Sequence, residues 1–118
     1  MKPKEFYDIV GGDYKEALGR IQSDELIVKF LMMLPSDKNI EKLDAAMKNC
    51  DSETVFRAVH TLKGIALNLS LNTFADTCCE LMKQLKSCPE INSETLKLYE
   101  NVKSEYKKVT EKLSELCE

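Results

Sequence analysis

The 118-residue sequence has no tryptophan, one histidine, three prolines and four glycines. Each shortage excludes something. A single histidine, His60, rules out two-histidine metal sites and confines any imidazole chemistry to one position. Three of the glycines are Gly11, Gly12 and Gly19, so Gly64 is the only one later in the chain. Long stretches without glycine or proline are poor material for many-turned β folds. The five cysteines (Cys50, Cys78, Cys79, Cys88, Cys117) include no C-x-x-C pair. Their odd number and the lack of a secretory leader argue against a disulfide scaffold, and their spacing does not suit a zinc site. A reduced thiol inventory and a cytoplasmic location are expected. The longest apolar cluster, Leu26 to Leu34, is broken by Lys29 and is too short to cross a bilayer, so no membrane insertion is expected. Nor is there an excess of positive charge: 20 acidic against 17 basic residues give a net charge of -3 and no reason to expect nucleic acid.

What is present is a chain 43% hydrophobic and 31% charged, the balance of one folded domain over residues 1–118. Its period is helical almost throughout. Tyr99, Val102, Tyr106, Val109, Leu113 and Leu116 step by three and four, predicting a long amphipathic helix that starts near Asn92 or Ser93. Leu71, Phe74, Cys78, Leu81 and Leu85 predict another, ending before Pro89. Ile40, Leu43, Met47 and Cys50 make a third stripe. A Ser23-Asp24 cap opens a fourth helix through Leu26, Phe30 and Met33 to Leu34. Ile27, Val28, Leu31 and Met32 make its apolar face so wide that more than one neighbour should cover it. Residues 1–22 read as one or two short helices around Gly11-Gly12, with Asp13 and Glu16 at capping-box spacing. The expected fold is all-α: an antiparallel four-helix bundle over 23–117 preceded by the short helices.

The segment 51–69 carries the chemistry. Val55, Val59, Leu62, Ala66 and Leu69 define its buried stripe. At about 100° per residue, His60 lies roughly 140° from the centre of that stripe, Gly64 farther round, and Lys63 on the flank at about 80°. His60 is therefore expected to face outward. Glycine inside a helix costs about 1 kcal/mol relative to alanine. Here it stands one turn after the only histidine, where a missing side chain clears the surface beside the imidazole. Lys63 can bring an ammonium over the same patch, and Phe56 and Leu67 add apolar flanks. Together these suggest a surface that meets another protein. Taken singly, each has a plainer explanation: an inert surface histidine, a solvated lysine, a glycine that lets helices pack closely, or a Phe56 covered by the helix at 24–34.

His60-Thr-Leu-Lys63-Gly64-Ile-Ala66-Leu-Asn-Leu69-Ser70 closely resembles the signature of histidine-containing phosphotransfer (HPt) domains, the intermediates of multistep two-component phosphorelays. Leu43-Asp-Ala-Ala-Met47, Asp51-x-x-x-Val55 and Phe74-Ala-x-x-Cys78-x-x-Leu81 also look like their counterparts there, and the resemblance spans about residues 23–113. It implies that His60 accepts a phosphoryl group from a receiver domain's aspartyl phosphate and passes it to another receiver, with Lys63 near the phosphoryl group and Gly64 leaving room for it. Phe56 and Leu67 would dock the partner. Partners would be response-regulator receiver domains, a hybrid sensor histidine kinase, or both, and the chain itself would be a monomer. The family often has glycine where this chain has Ser70, and small or polar residues where it has Ile65 and Leu67. Leu67 would then tune which receiver is preferred.

The chain has no glycine-rich nucleotide loop, so it is expected to be a phosphoryl carrier with no kinase or ATP-binding activity of its own. It should need no cofactor, the magnesium ion coming from the receiver's acidic site. Two rivals use the same residues: an adaptor that docks a receiver or other partner without being phosphorylated, and an oligomerising bundle that uses residues 92–117 as a coiled-coil arm. The adaptor has no need of the triplet His60, Lys63 and Gly64.

Overall fold

The few capping and breaking residues set the helix boundaries. The computed structural model describes residues 1–116. Among the described residues seven α-helices follow one another: α1 (Pro3–Val10), α2 (Tyr14–Ile21), α3 (Asp24–Leu31), α4 (Asn39–Lys48), α5 (Ser52–Asn68), α6 (Asn72–Ser87) and α7 (Ser93–Leu116), with a 3-10 turn at Leu34–Ser36. Among the described residues there is no strand. Pro3 opens α1, and Gly11, at φ 73°, closes it in the left-handed region that glycine adopts without a Cβ clash. Ser23 caps α3 by accepting from the Leu26 amide. Asn92 caps α7: its Oδ1 accepts from the Thr95 amide at 3.0 Å, and its own amide donates to Thr95 Oγ1 at 3.2 Å. α6 stops at Ser87, just before Pro89.

α4 to α7 form the antiparallel four-helix bundle. α5 packs between α4 and α6, and α7 lies along α6. A polar link closes α4 onto α7, where the Asp44 carboxylate accepts from Tyr99 Oη at 2.5 Å and from Lys103 Nζ at 2.7 and 2.9 Å. α1 rests on α7, and α1, α2 and α3 pack on one another. One continuous core runs through all of these helices, from Phe6 and Tyr7 through Leu62 and Phe74 to Leu113. The apolar stripe of α7 is spent inside this core: Val102, Val109, Leu113 and Leu116 are all buried. That leaves the helix little with which to act as a free coiled-coil arm. Cys117 lies outside the described residues.

Three local expectations are corrected. α3 ends at Leu31, shorter than the stripe through Leu34 suggested, and its inward residues are Ile27, Leu31 and, on the 3-10 turn, Leu34. Leu26, Phe30 and Met33, part of the wide apolar face expected to be covered, are 41%, 40% and 60% exposed. The wide apolar face is thus only half covered, because α3 packs chiefly on the short α1 and α2. Cys50 lies beyond the end of α4 at φ 53°, exposed, and is no part of that helix's stripe. Asp13 does accept from the Glu16 amide at 3.0 Å, but the Glu16 carboxylate, instead of closing a capping box, accepts from Ser70 Oγ at 2.8 Å.

Candidate functional site

α5 begins where the Asp51 side chain accepts from the Thr54 amide at 3.2 Å and from Thr54 Oγ1 at 2.6 Å. The Thr54 hydroxyl and amide hold the Asp51 carboxyl below the usual carboxylate range. A carboxylate at this end also complements the positive pole of the helix. From here the stripe Val55, Val59, Leu62, Ala66 and Leu69 goes fully inward, with no member more than 5% exposed. That orients the helix. The residues on its far side have to face solvent.

His60 is exposed, and among the described residues its side chain makes no hydrogen bond or ion pair. Gly64 is exposed one turn later, and a Cβ built on it would meet nothing within 4 Å. Its φ is not in the left-handed region either. Neither helix packing nor backbone conformation therefore explains a glycine here, which removes the close-packing explanation. Lys63 is half-buried on the flank towards α6, where its charge reaches the Cys78 thiol. Burial pushes that thiol up to about 12, with Cys79 adding to the rise and Lys63 opposing it. Cys78 is fully buried and serves as small packing material.

The two apolar flanks differ. Leu67 is 44% exposed on the same outward side as His60. Phe56 is half-buried, and what covers it is the end of α6, not α3: Lys86 Nζ stands 5.8 Å from its ring centre, and it shares a shallow groove with Leu85 and Pro89. Only part of Phe56 is thus available to a partner. Around the helix from Leu67 runs a deeper apolar groove of about 410 Å³, lined by Arg20, Ile21, Phe30, Met33, Ile65 and Asn68. Phe30 and Met33 were not singled out from the sequence as surface residues. The excess width of the α3 apolar face was their signal, since a face too wide for its neighbours leaves some of itself exposed. Arg20 carried no such signal.

Among the described residues no group of three His, Cys, Asp or Glu side chains is placed to hold a metal ion. No helix among them is long and apolar enough to cross a membrane. Chemically, the outward face of α5 offers one imidazole, an ammonium on its flank, a cleared notch and apolar surface at its C-terminal end.

The family model described as the Hpt domain matches residues 25–116. No curated protein and no solved structure matches the chain. The match takes in α4 to α7 whole and nearly all of α3, on a helical bundle with its one histidine exposed: the chain belongs to the Hpt domain family, which serves phosphotransfer in two-component signalling.

Proposed function

We propose that this chain is a phosphorelay intermediate that accepts a phosphoryl group on His60 from the aspartyl phosphate of one receiver domain and delivers it to another. The observation that carries this reading is the exposure of His60 beside a glycine that neither packing nor backbone conformation requires. A residue costing about 1 kcal/mol of helix stability makes sense where a second molecule must come close.

In the forward step the unprotonated ring nitrogen of His60 attacks phosphorus in line with the bond to the aspartate oxygen. A P–N bond forms, the P–O bond breaks, and the aspartate leaves as its carboxylate. The other ring nitrogen keeps its proton. Return transfer to a second receiver runs the same exchange backwards. The charge to be stabilised lies on the equatorial phosphoryl oxygens. Lys63 supplies one cation from this chain, and the magnesium ion belongs to the receiver. Gly64 leaves the approach open, while Leu67 and the exposed part of Phe56 give the receiver apolar surface to seat on. As a carrier, the chain works where its receivers do, in the cytoplasm.

Incubation with a receiver phosphorylated on its aspartate tests this. The wild-type chain should gain acid-labile, alkali-stable phosphate, and His60→Gln should gain none. Equal labelling of the two would overturn the assignment. Binding of the receiver with no labelling of either would favour the unphosphorylated adaptor.

A further inference from the structure

The C-terminal end of α5 should carry unsatisfied backbone carbonyls. Here the N-terminal helices meet four carbonyls in succession. Arg20 Nη1 donates to the carbonyls of Leu67 at 2.7 Å and Asn68 at 3.0 Å. Tyr7 Oη donates to the Leu69 carbonyl at 2.6 Å, and the Asp13 amide donates to that of Ser70 at 2.9 Å. Arg20 Nη1 also donates to Ser70 Oγ at 3.1 Å, whose hydroxyl donates in turn to Glu16. Ser70 itself is fully buried at φ 54°, a left-handed conformation uncommon in a non-glycine residue. Tyr7, Asp13, Glu16 and Arg20 all lie outside the residues that the family model matches.

The two strongest members of this clasp face different ways. Tyr7 is fully buried and belongs to the core. The Arg20 side chain is 45% exposed, holds the carbonyl of the outward-facing Leu67, and forms a wall of the groove that Phe30 and Met33 line. A guanidinium can grip neighbouring carbonyls in a fixed geometry, and its charge suits the negative pole of a helix. We infer that Arg20 is a positioning residue for phosphotransfer: it locks the last turn of α5 to α2, so that Leu67 and the α3 groove present one rigid seat to the receiver. This rests on the reading of His60 as the phosphoryl acceptor. Arg20 touches no reacting atom, so its effect belongs to docking and not to the chemical step.

The test is transfer from a phosphorylated receiver to Arg20→Met, Arg20→Lys and Tyr99→Phe, each checked for helix content by circular dichroism. Tyr99→Phe removes the hydrogen bond to Asp44 on the other side of the bundle and controls for a general loss of stability. Arg20→Met should raise the receiver concentration giving half-maximal rate by roughly three- to tenfold and leave the rate at saturation unchanged. Arg20→Lys should fall between Arg20→Met and wild type, and Tyr99→Phe should match wild type. A wild-type half-maximal concentration in Arg20→Met, an equal shift in Tyr99→Phe, or an effect confined to the saturated rate would each overturn the role of Arg20 while leaving His60 as the acceptor. No labelling of the wild-type chain would overturn both.

Discussion

The two faces of α5 obey opposite rules. Inward, Val55, Val59, Leu62, Ala66 and Leu69 are packed tightly enough that a change of volume is felt at once. Outward, His60 has no protein partner among the described residues, and Gly64 leaves open space where a side chain would strengthen the helix. The inward face is shaped by what this chain needs to stay folded. The outward face gives up stability and gains nothing within the chain in return. A surface of that kind is what the proposed visit of a receiver would require.

Substituting neighbours on opposite faces should have very different effects. Leu62→Ala should lose about 2–5 kcal/mol of stability, read from urea denaturation, because it leaves a cavity in the bundle. His60→Gln, two positions away, should change stability by less than about 0.5 kcal/mol. Comparable losses in both would mean that His60 does structural work the contacts do not show. At Gly64, alanine should stabilise the helix by about 1 kcal/mol, since its Cβ meets nothing. Glutamate there should keep the helix content by circular dichroism yet slow transfer from the phosphorylated receiver. Unchanged transfer in Gly64→Glu would remove the reason given for the glycine.

Titration probes the buried surroundings of the inward face by pH. Burial raises the phenol of Tyr7, and burial with the Asp44 hydrogen bond raises that of Tyr99. In the unfolded chain such phenols lose their protons near about pH 10, whereas the folded ones hold them. Their contribution is therefore full below that pH and is lost as pH rises beyond it. Cys78, at about 12, adds the same trend from about pH 9 upward. The urea midpoint should fall on the alkaline side, and less steeply in Tyr7→Phe. The smallest effect is expected at Asp51, whose carboxyl is lowered by Thr54. Its contribution is present above about pH 4 and is lost as pH falls through its lowered range. Thermal midpoints of wild type and Asp51→Ala should differ at pH 7 and converge in acid.

α5, α6 and α7 were legible in the sequence because each has one buried stripe at strict helical spacing, and a stripe can be read without knowing what covers it. The candidate site is legible through scarcity, since one histidine and one late glycine leave few places to look. α3 misled for the complementary reason. Hydrophobicity says that a residue can be buried, but Leu26, Phe30 and Met33 had no neighbour wide enough to bury them. The angle of Phe56 on α5 predicts docking surface, and no angle reveals that Lys86 and Pro89 come to lie against it. The clasp of Tyr7, Asp13 and Arg20 on the end of α5 left no trace in any period. Its partners are backbone carbonyls about fifty or more residues away, and backbone carbonyls are the same whatever the sequence.

If one side chain on the outward face carries the phosphoryl group, site mapping will find it there. Cleavage after Arg57 and Lys63 releases the peptide Ala58-Val-His60-Thr61-Leu-Lys63, which holds every candidate acceptor of that stretch. After incubation with a phosphorylated receiver, this peptide should carry one phosphoryl group that acid removes and alkali leaves in place, and His60→Gln should carry none. An acid-stable group on Thr61, phosphate on another peptide, or equal labelling of the His60→Gln chain would contradict it.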